Sequence, residues 1–162
     1  MDKMNLVVEK DGFQKVTAHF LQRGFAVVLL GGEKERWLNK GIYNGIKGKK
    51  PINLTGTTNL REFMAVISLS SLLVCNNSGP LHIAVALDVP TVSLMGPSIP
   101  HLWKPWGDAR KHIVIRKDLP CSPCNLYYCK RGDHACMENI TPEEVIKSAE
   151  ILLGRWGRGN IS

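Results

Sequence analysis

The sequence predicts an α/β fold of the Rossmann-like type, with a doubly wound parallel sheet. Continuous apolar segments of four to six residues alternate with amphipathic helical segments about every 20 residues. The apolar segments lack strict apolar–polar alternation, and strands that are buried on both faces are typical of parallel sheets. The chain has 162 residues, a length that suits one domain, so we expect a single domain over residues 1–162.

The first 70 residues contain three predicted helices and two predicted strands. The first helix includes residues 16–21 and is closed by Gly24, because glycine commonly follows a helix C-terminus. The other elements are recognised by apolar runs or by helical spacing. They are a strand over 25–30 ending in Gly31-Gly32, a helix over 33–42, a strand over 51–54 and a helix over 57–70.

The rest of the chain continues the alternation and ends in a helix. Strands are predicted over 71–75, 90–95 and 111–116, with a short helix over 79–87 that has a proline in its first turn. Residues 96–109 form a long connection rich in proline and tryptophan, and long ordered connections often carry function. The closing helix spans 141–154, where Thr141 can cap the N-terminus and Glu144 completes a capping box.

Composition and charge exclude several classes of protein. Hydrophobic residues make up 44% of the chain, too many for a disordered protein, and no apolar run approaches the ~20 residues of a transmembrane helix. The first residues show no signal-peptide pattern, so we expect a cytoplasmic chain. The net charge of +7 is compatible with nucleic acid, an anionic membrane surface or a phosphorylated small molecule. Without a stacking-aromatic motif or a recognition helix, nucleic acid is not expected.

Three turns follow predicted strands and are therefore candidate ligand sites. In an open α/β sheet, ligands bind at the carboxyl ends of the strands. The turns are Gly31-Gly32, residues 76–79 and residues 96–98, and the second opens directly into a helix. Free N–H groups and the helix dipole favour an anion there, Gly79 allows close backbone approach and Ser78 adds a hydroxyl donor. The turn predicts a phosphate or diphosphate site; the alternative is an ordinary turn with a serine cap.

His82 lies on the same side of this helix start, four positions after Ser78. Its imidazole could donate to a phosphate or sugar oxygen; the alternative is a satisfied core histidine. The chain contains neither G-x-G-x-x-G nor G-x-x-x-x-G-K-[ST]. It also has no Asp-x-Asp pair or carboxylate cluster for Mg²⁺. Helix dipoles and basic side chains would therefore have to neutralise a bound diphosphate.

The five cysteines are unevenly distributed. Cys75 stands alone in an apolar run and is predicted to be a core residue. The other four lie in a Cys-rich loop over 121–136 and are Cys121, Cys124, Cys129 and Cys136. With His134 they supply enough ligands for a tetrahedral zinc site, but a single C-x-x-C is weaker than two. Structural thiols or a redox-sensitive disulfide are the alternative.

Residues 53–107, which contain the Ser-Gly-Pro-x-His turn and a Gly-Pro turn after the next strand, strongly resemble glycosyltransferase family 9. These are the ADP-heptose:lipopolysaccharide heptosyltransferases, and residues 24–36 and the CSPC…CM…ITPEEV segment fit the same family. The resemblance implies the GT-B fold, two Rossmann-like domains facing a cleft. This chain would be the C-terminal, donor-binding half.

The resemblance implies transfer of heptose from ADP-heptose to the lipopolysaccharide inner core, without a metal or other cofactor. An N-terminal acceptor domain, in which the catalytic base is expected, would be absent from this chain. The isolated chain would then be inactive. The resemblance also implies a cytoplasmic protein that can lie at the inner-membrane face.

The resemblance implies roles for particular residues. The donor diphosphate and sugar would be held by Ser78, Gly79 and His82, and the ribose hydroxyls by Glu33 or Glu35. The nucleotide would lie near Met95, Gly96 and Pro97. Two positions depart from the family pattern. Asn77 stands where the family usually has Asp, and Leu6 stands near the place of a phosphate-binding lysine, with Lys10 following.

Three functional hypotheses follow. The chain is a heptosyltransferase, or its donor half working with a separately encoded acceptor half. It is a nucleotide-sugar-binding relic or subunit without turnover. Or it is a metal-binding or redox protein that uses the Cys-rich loop.

Overall fold

A computed structural model describes residues 10–156, and its helices and parallel strands confirm the α/β class. Inter-residue contacts group the described chain into two compact units, residues 10–65 and residues 66–156. The elements in chain order are α1 (Lys10–Gln22), β1 (Val28–Leu29), α2 (Arg36–Gly45), β2 (Ile52–Asn53), α3 (Leu60–Leu69), β3 (Leu73–Asn76), α4 (Gly79–Ala86), β4 (Thr91–Leu94), α5 (Pro100–Trp103), β5 (His112–Ile115), α6 (Ala135–Glu138) and α7 (Pro142–Trp156).

The unit of residues 10–65 contains a parallel pair of strands, β1 and β2, and the helices α1 and α2. Gly24 ends the first helix in the left-handed region, with φ of +88°. The regular strand β1 is shorter than the predicted 25–30, because Phe25 is 39% exposed and pairing with the short β2 begins only near Val27. The core is made by apolar side chains from α1, β1, α2 and the residue after α2, namely Val16, Phe20, Leu21, Leu29, Ile42 and Ile46.

The unit of residues 66–156 contains a three-stranded parallel sheet in the order β3-β4-β5. Its central strand β4 is buried along its whole length, as expected for a strand covered on both faces. The helix α4 packs against β3 and β4, and α7 packs against β4 and β5. Fully enclosed side chains fill the interior, among them Ile67, Leu81, Leu94, Met95, Val145 and Leu152.

All the strand pairings in the described chain are parallel, as expected for a doubly wound fold. In the unit of residues 10–65, β1 pairs with β2, and in the unit of residues 66–156 the strand order is β3-β4-β5. Residues 1–9 lie outside the described range.

The predicted start of the closing helix is confirmed by its capping box. The Thr141 N–H donates to Glu144 Oε2 at 2.9 Å, and the Glu144 N–H donates to Thr141 Oγ1 at 3.3 Å, which is the predicted capping box. The closing helix runs to Trp156, beyond the predicted end at residue 154.

The connection over 96–109 contains the short helix α5. Leu6 and the side chain of Lys10 lie outside what the structure describes.

Within residues 10–156, no helix combines the length and the apolar character that a bilayer span requires.

Candidate functional site

The turn between β3 and α4 leaves the sheet at its carboxyl edge. The strand ends at Asn76 and the helix begins at Gly79. The Asn77 N–H donates to the Leu94 carbonyl at 3.0 Å, and the Met95 N–H donates to the Ile115 carbonyl at 2.9 Å. Because these bonds keep the three strand ends level, the β3–α4 turn and the turn at Gly96 leave the same edge, where α/β proteins bind ligands.

Ser78 precedes the helix α4 without capping it. Its backbone is extended, its side chain is exposed, and its hydroxyl donates to the Asn76 carbonyl at 3.2 Å. No side-chain capping bond reaches the N-terminus of α4. Ser78 therefore occupies the N-cap position without the side-chain bond of a serine cap. An uncapped N-terminus keeps its N–H groups and the positive end of its dipole available to an anion.

Gly79 borders open space. A β-carbon built on this residue meets no other atom within 4 Å, and its φ lies outside the left-handed region, so packing within the protein does not require a glycine here. A glycine bordered by open space, with no β-carbon in the way, allows a phosphate to come close to the backbone.

Two polar side chains near the turn are without hydrogen-bond partners among residues 10–156. The Asn77 Nδ2 atom is buried and makes no hydrogen bond. A buried donor of this kind costs about 1–3 kcal/mol, a cost that a ligand acceptor would remove. His82, on α4, is half-buried, and no hydrogen bond of its ring is found in the described chain. This arrangement is unlike that of a satisfied core histidine.

The turn after β4 is hydrogen-bonded to other residues of the protein. The Met95 side chain is fully buried, so its side chain faces the core and not a ligand. The Gly96 carbonyl accepts a bond from Ser122 Oγ at 3.2 Å, and the Pro97 carbonyl accepts one from the Asn125 N–H at 2.8 Å. These contacts attach the turn to the Cys-rich loop, and a nucleotide role for it stays a prediction.

Glu33 and Glu35 belong to the unit of residues 10–65, where they form a 3₁₀ turn after β1. Glu35 Oε2 accepts the Gly32 N–H at 2.8 Å and so has a structural task. Glu33 Oε2 pairs with Arg36 Nη2 at 2.7 Å, but its side chain is 72% exposed. Of the two predicted ribose ligands, Glu33 is the more accessible.

Arg116 is a candidate residue that sequence reasoning missed. It directly follows β5, at the same edge as Ser78 and Gly96, and its Nε atom is buried without a partner in the described chain. Its guanidinium also reaches the Ser122 carbonyl at 3.4 Å and Asp118 at 3.3 Å. The sequence signal that could have revealed it is a basic residue at the end of the strand predicted over 111–116.

Cys75 lies apart from the other four cysteines, in β3, and is half-buried, less enclosed than the predicted core residue. Burial raises the pKa of the Cys75 thiol, in β3, to about 12. None of the other four forms a disulfide, and all four line one cavity of about 90 Å³. Cys129 Sγ donates a hydrogen bond to Asp133 Oδ1 at 3.8 Å. No three His, Cys, Asp or Glu side chains within residues 10–156 are grouped to hold a metal ion, so the zinc alternative gains no support.

Comparison with known proteins identifies the family of this chain. Residues 8–134 match the model of glycosyltransferase family 9 (heptosyltransferase). The chain belongs to this family. Among curated relatives of the family 9 chain, the lipooligosaccharide heptosyltransferase 2 of Campylobacter jejuni serotype O:2 is 32% identical over 143 residues. The lipopolysaccharide heptosyltransferase 2 of Salmonella typhimurium is 29% identical over 148 residues.

Solved structures agree with this assignment. The Escherichia coli ADP-heptose lipopolysaccharide heptosyltransferase II is 28% identical, with a TM-score of 0.76. A family 9 glycosyl transferase from Veillonella parvula is 29% identical, also with a TM-score of 0.76. Each match covers 90% of this family 9 chain and 41% of the solved one. The Campylobacter and Salmonella matches cover 87% and 90% of this chain but only 44% and 42% of those relatives. The chain therefore spans less than half the length of these proteins, and the predicted relation to a GT-B glycosyltransferase is confirmed for that part.

Proposed function

We propose that this chain is the donor-binding half of a heptosyltransferase that transfers heptose from ADP-heptose to the lipopolysaccharide inner core. The observation that carries the proposal is the β3–α4 turn. Its helix N-terminus is uncapped, the space before Gly79 is open, and His82 has no hydrogen bond in the described chain. The identity of the sugar rests on the names of the relatives.

In this proposal the diphosphate lies at the N-terminus of α4. Backbone N–H groups donate to phosphate oxygens, and Gly79 allows the approach. The Ser78 hydroxyl donates as well once it turns from the Asn76 carbonyl to the phosphate. His82 donates to a phosphate or sugar oxygen, and Arg116 adds positive charge at the same edge of the sheet. Glu33 belongs to the other unit, and its role as a ribose ligand stays a separate prediction from the family resemblance. No metal is required, because dipoles and cations neutralise the diphosphate.

Catalysis needs a second half that provides the base and the acceptor site. We expect that half in an acceptor domain, encoded separately or together with this chain, and working at the cytoplasmic face of the inner membrane. The isolated chain should then form no product from ADP-heptose and heptose-free lipopolysaccharide.

A second candidate is a nucleotide-sugar-binding protein without turnover, and Asn77 favours it. Asparagine keeps an acceptor oxygen and adds an NH₂ donor, so bonding to a sugar hydroxyl survives. The negative charge that aspartate carries is lost, and any step that depends on that charge fails.

Calorimetry with a nucleotide series tests the site. ADP-heptose and ADP should bind, whereas AMP should bind more weakly, because it lacks the second phosphate that the helix terminus would hold. Equal affinities for ADP and AMP, or no binding of any of the three, would exclude the diphosphate site.

A further inference from the structure

The Cys-rich loop over 121–136 gathers four thiols around one cavity. The cavity of about 90 Å³ is lined by Cys121, Cys124, Cys129 and Cys136, and all four are free thiols. Cys121 and Cys124 are exposed, whereas Cys129 and Cys136 are half-buried. Small molecules in solvent can therefore reach the cluster, which the donor-binding role leaves unused.

The four thiols are not chemically equal. Backbone N–H groups of His134, Arg131 and Gly132 lower the pKa of Cys129 and so favour its thiolate. Desolvation raises the pKa of the Cys136 thiol, and the charge that Cys124, Cys129 and Cys121 can carry raises it further. The thiolate is the nucleophile in disulfide exchange, so Cys129 is the residue best placed to react first.

The loop is fastened to the turn at Gly96. Besides the Ser122 and Asn125 hydrogen bonds, Cys136 packs closely: its Sγ lies 3.4 Å from where a β-carbon on Gly96 would be. A covalent change among the thiols therefore acts on a segment that holds the turn in place.

We propose that Cys129 and a second thiol of this loop form a reversible disulfide by exchange with a low-molecular-weight disulfide such as oxidised glutathione. The Cys129 thiolate attacks one sulfur of the reagent, forming a mixed disulfide and releasing one thiolate. A second loop thiolate then attacks Cys129 Sγ, closing the protein disulfide and releasing the other thiolate. Two protein thiols are oxidised, one small disulfide is reduced, and the two protons leave the protein thiols for the released products.

A disulfide makes a smaller geometric demand on the loop than a metal site does. Within the described residues no three ligand side chains are grouped for a metal ion, whereas a disulfide needs only two thiols. The thiol chemistry is independent of the proposed donor site, so its success or failure is distinguishable from that of the glycosyltransferase proposal.

Alkylation after oxidation tests the site on the full chain. When the chain is unfolded in denaturant before alkylation, its reduced form should accept alkyl groups on all five cysteines. After incubation with oxidised glutathione it should accept only three, and peptide mapping should show Cys129 linked to Cys121, Cys124 or Cys136. Dithiothreitol should restore all five. The matched control Cys75→Ser should keep the reaction, whereas Cys129→Ser should slow it strongly.

Several results would overturn the proposal. They are five alkylated cysteines after oxidation, a disulfide that contains Cys75, or thiols that are blocked before oxidation and released by a chelator. A separate readout tests the connection to the turn. The Asn125 amide, which donates to the Pro97 carbonyl, should exchange its hydrogen at a different rate once the disulfide forms, and an unchanged rate would disprove that connection.

Discussion

Met137 occupies the space that a side chain on Gly96 would need. A β-carbon at Gly96 would lie 2.7 Å from Met137 Sδ and 2.8 Å from its Cγ, well inside van der Waals contact. Met137 is itself buried, in the short helix α6 after the Cys-rich loop. The absence of a side chain at Gly96 is therefore explained by packing, and the turn after β4 and the segment around α6 form one packed region.

Gly96→Ala should destabilise the chain. The added methyl group must displace Met137 from a buried position, and overpacking of this kind costs about 1–3 kcal/mol. Urea unfolding measures the free energy of unfolding. A variant as stable as the wild type would show that Met137 moves aside without cost.

Gly79→Ala is the control that matches Gly96→Ala, because it adds the same methyl group at a glycine that borders open space. Because the built β-carbon meets nothing within 4 Å, the free energy of unfolding should not fall. The methyl group nevertheless occupies the space through which a phosphate approaches, so ADP affinity should decrease. Calorimetry and urea unfolding on the same preparation separate the two effects. Loss of stability without loss of affinity would contradict this view of the turn.

Glu144→Gln should reduce stability at neutral pH and much less in acid. A hydrogen bond from Lys117, at 2.5 Å, and another from the Thr141 N–H lower the pKa of the Glu144 carboxyl below its ordinary 4.5. A depressed folded-state pKa stabilises the fold above the unfolded-state value, and this contribution is lost as the pH falls through the folded-state value. Urea midpoints of both proteins at pH 7 and at about pH 3 test this. A difference that stays constant with pH would contradict it.

Sequence reasoning succeeded where the signal is local and was limited where contacts are distant. The capping box at Thr141 and Glu144 depends on two residues one turn apart, and the structure contains it. Ser78 supported two readings, because a cap and an anion site use the same residue; its hydroxyl bonds to the Asn76 carbonyl and makes no capping bond. The packing of Met137 against Gly96 joins distant parts of the chain, so no local pattern reveals it.

Asn77→Asp tests whether the missing charge limits catalysis. In a protein that also carries an acceptor half, the variant should turn over ADP-heptose faster than the Asn77 form, if a step requires the carboxylate. Heptose transfer to lipopolysaccharide is the readout, and Asn53→Asp, on β2, controls for a general effect of the substitution. No gain in turnover would mean that the charge is not the missing part.

The central claim is that the β3–α4 turn holds a nucleotide-sugar diphosphate. Calorimetry of ADP-heptose binding to the wild type and to the Ser78→Ala, His82→Ala double variant tests it most directly, with Ser148→Ala on α7 as the control. Hydrogen bonds to a charged group contribute about 1.5–3 kcal/mol each, so loss of both should weaken binding by at least about a hundredfold, while the control binds like the wild type. Equal affinities for the wild type and the double variant would show that the donor, if bound, is held elsewhere.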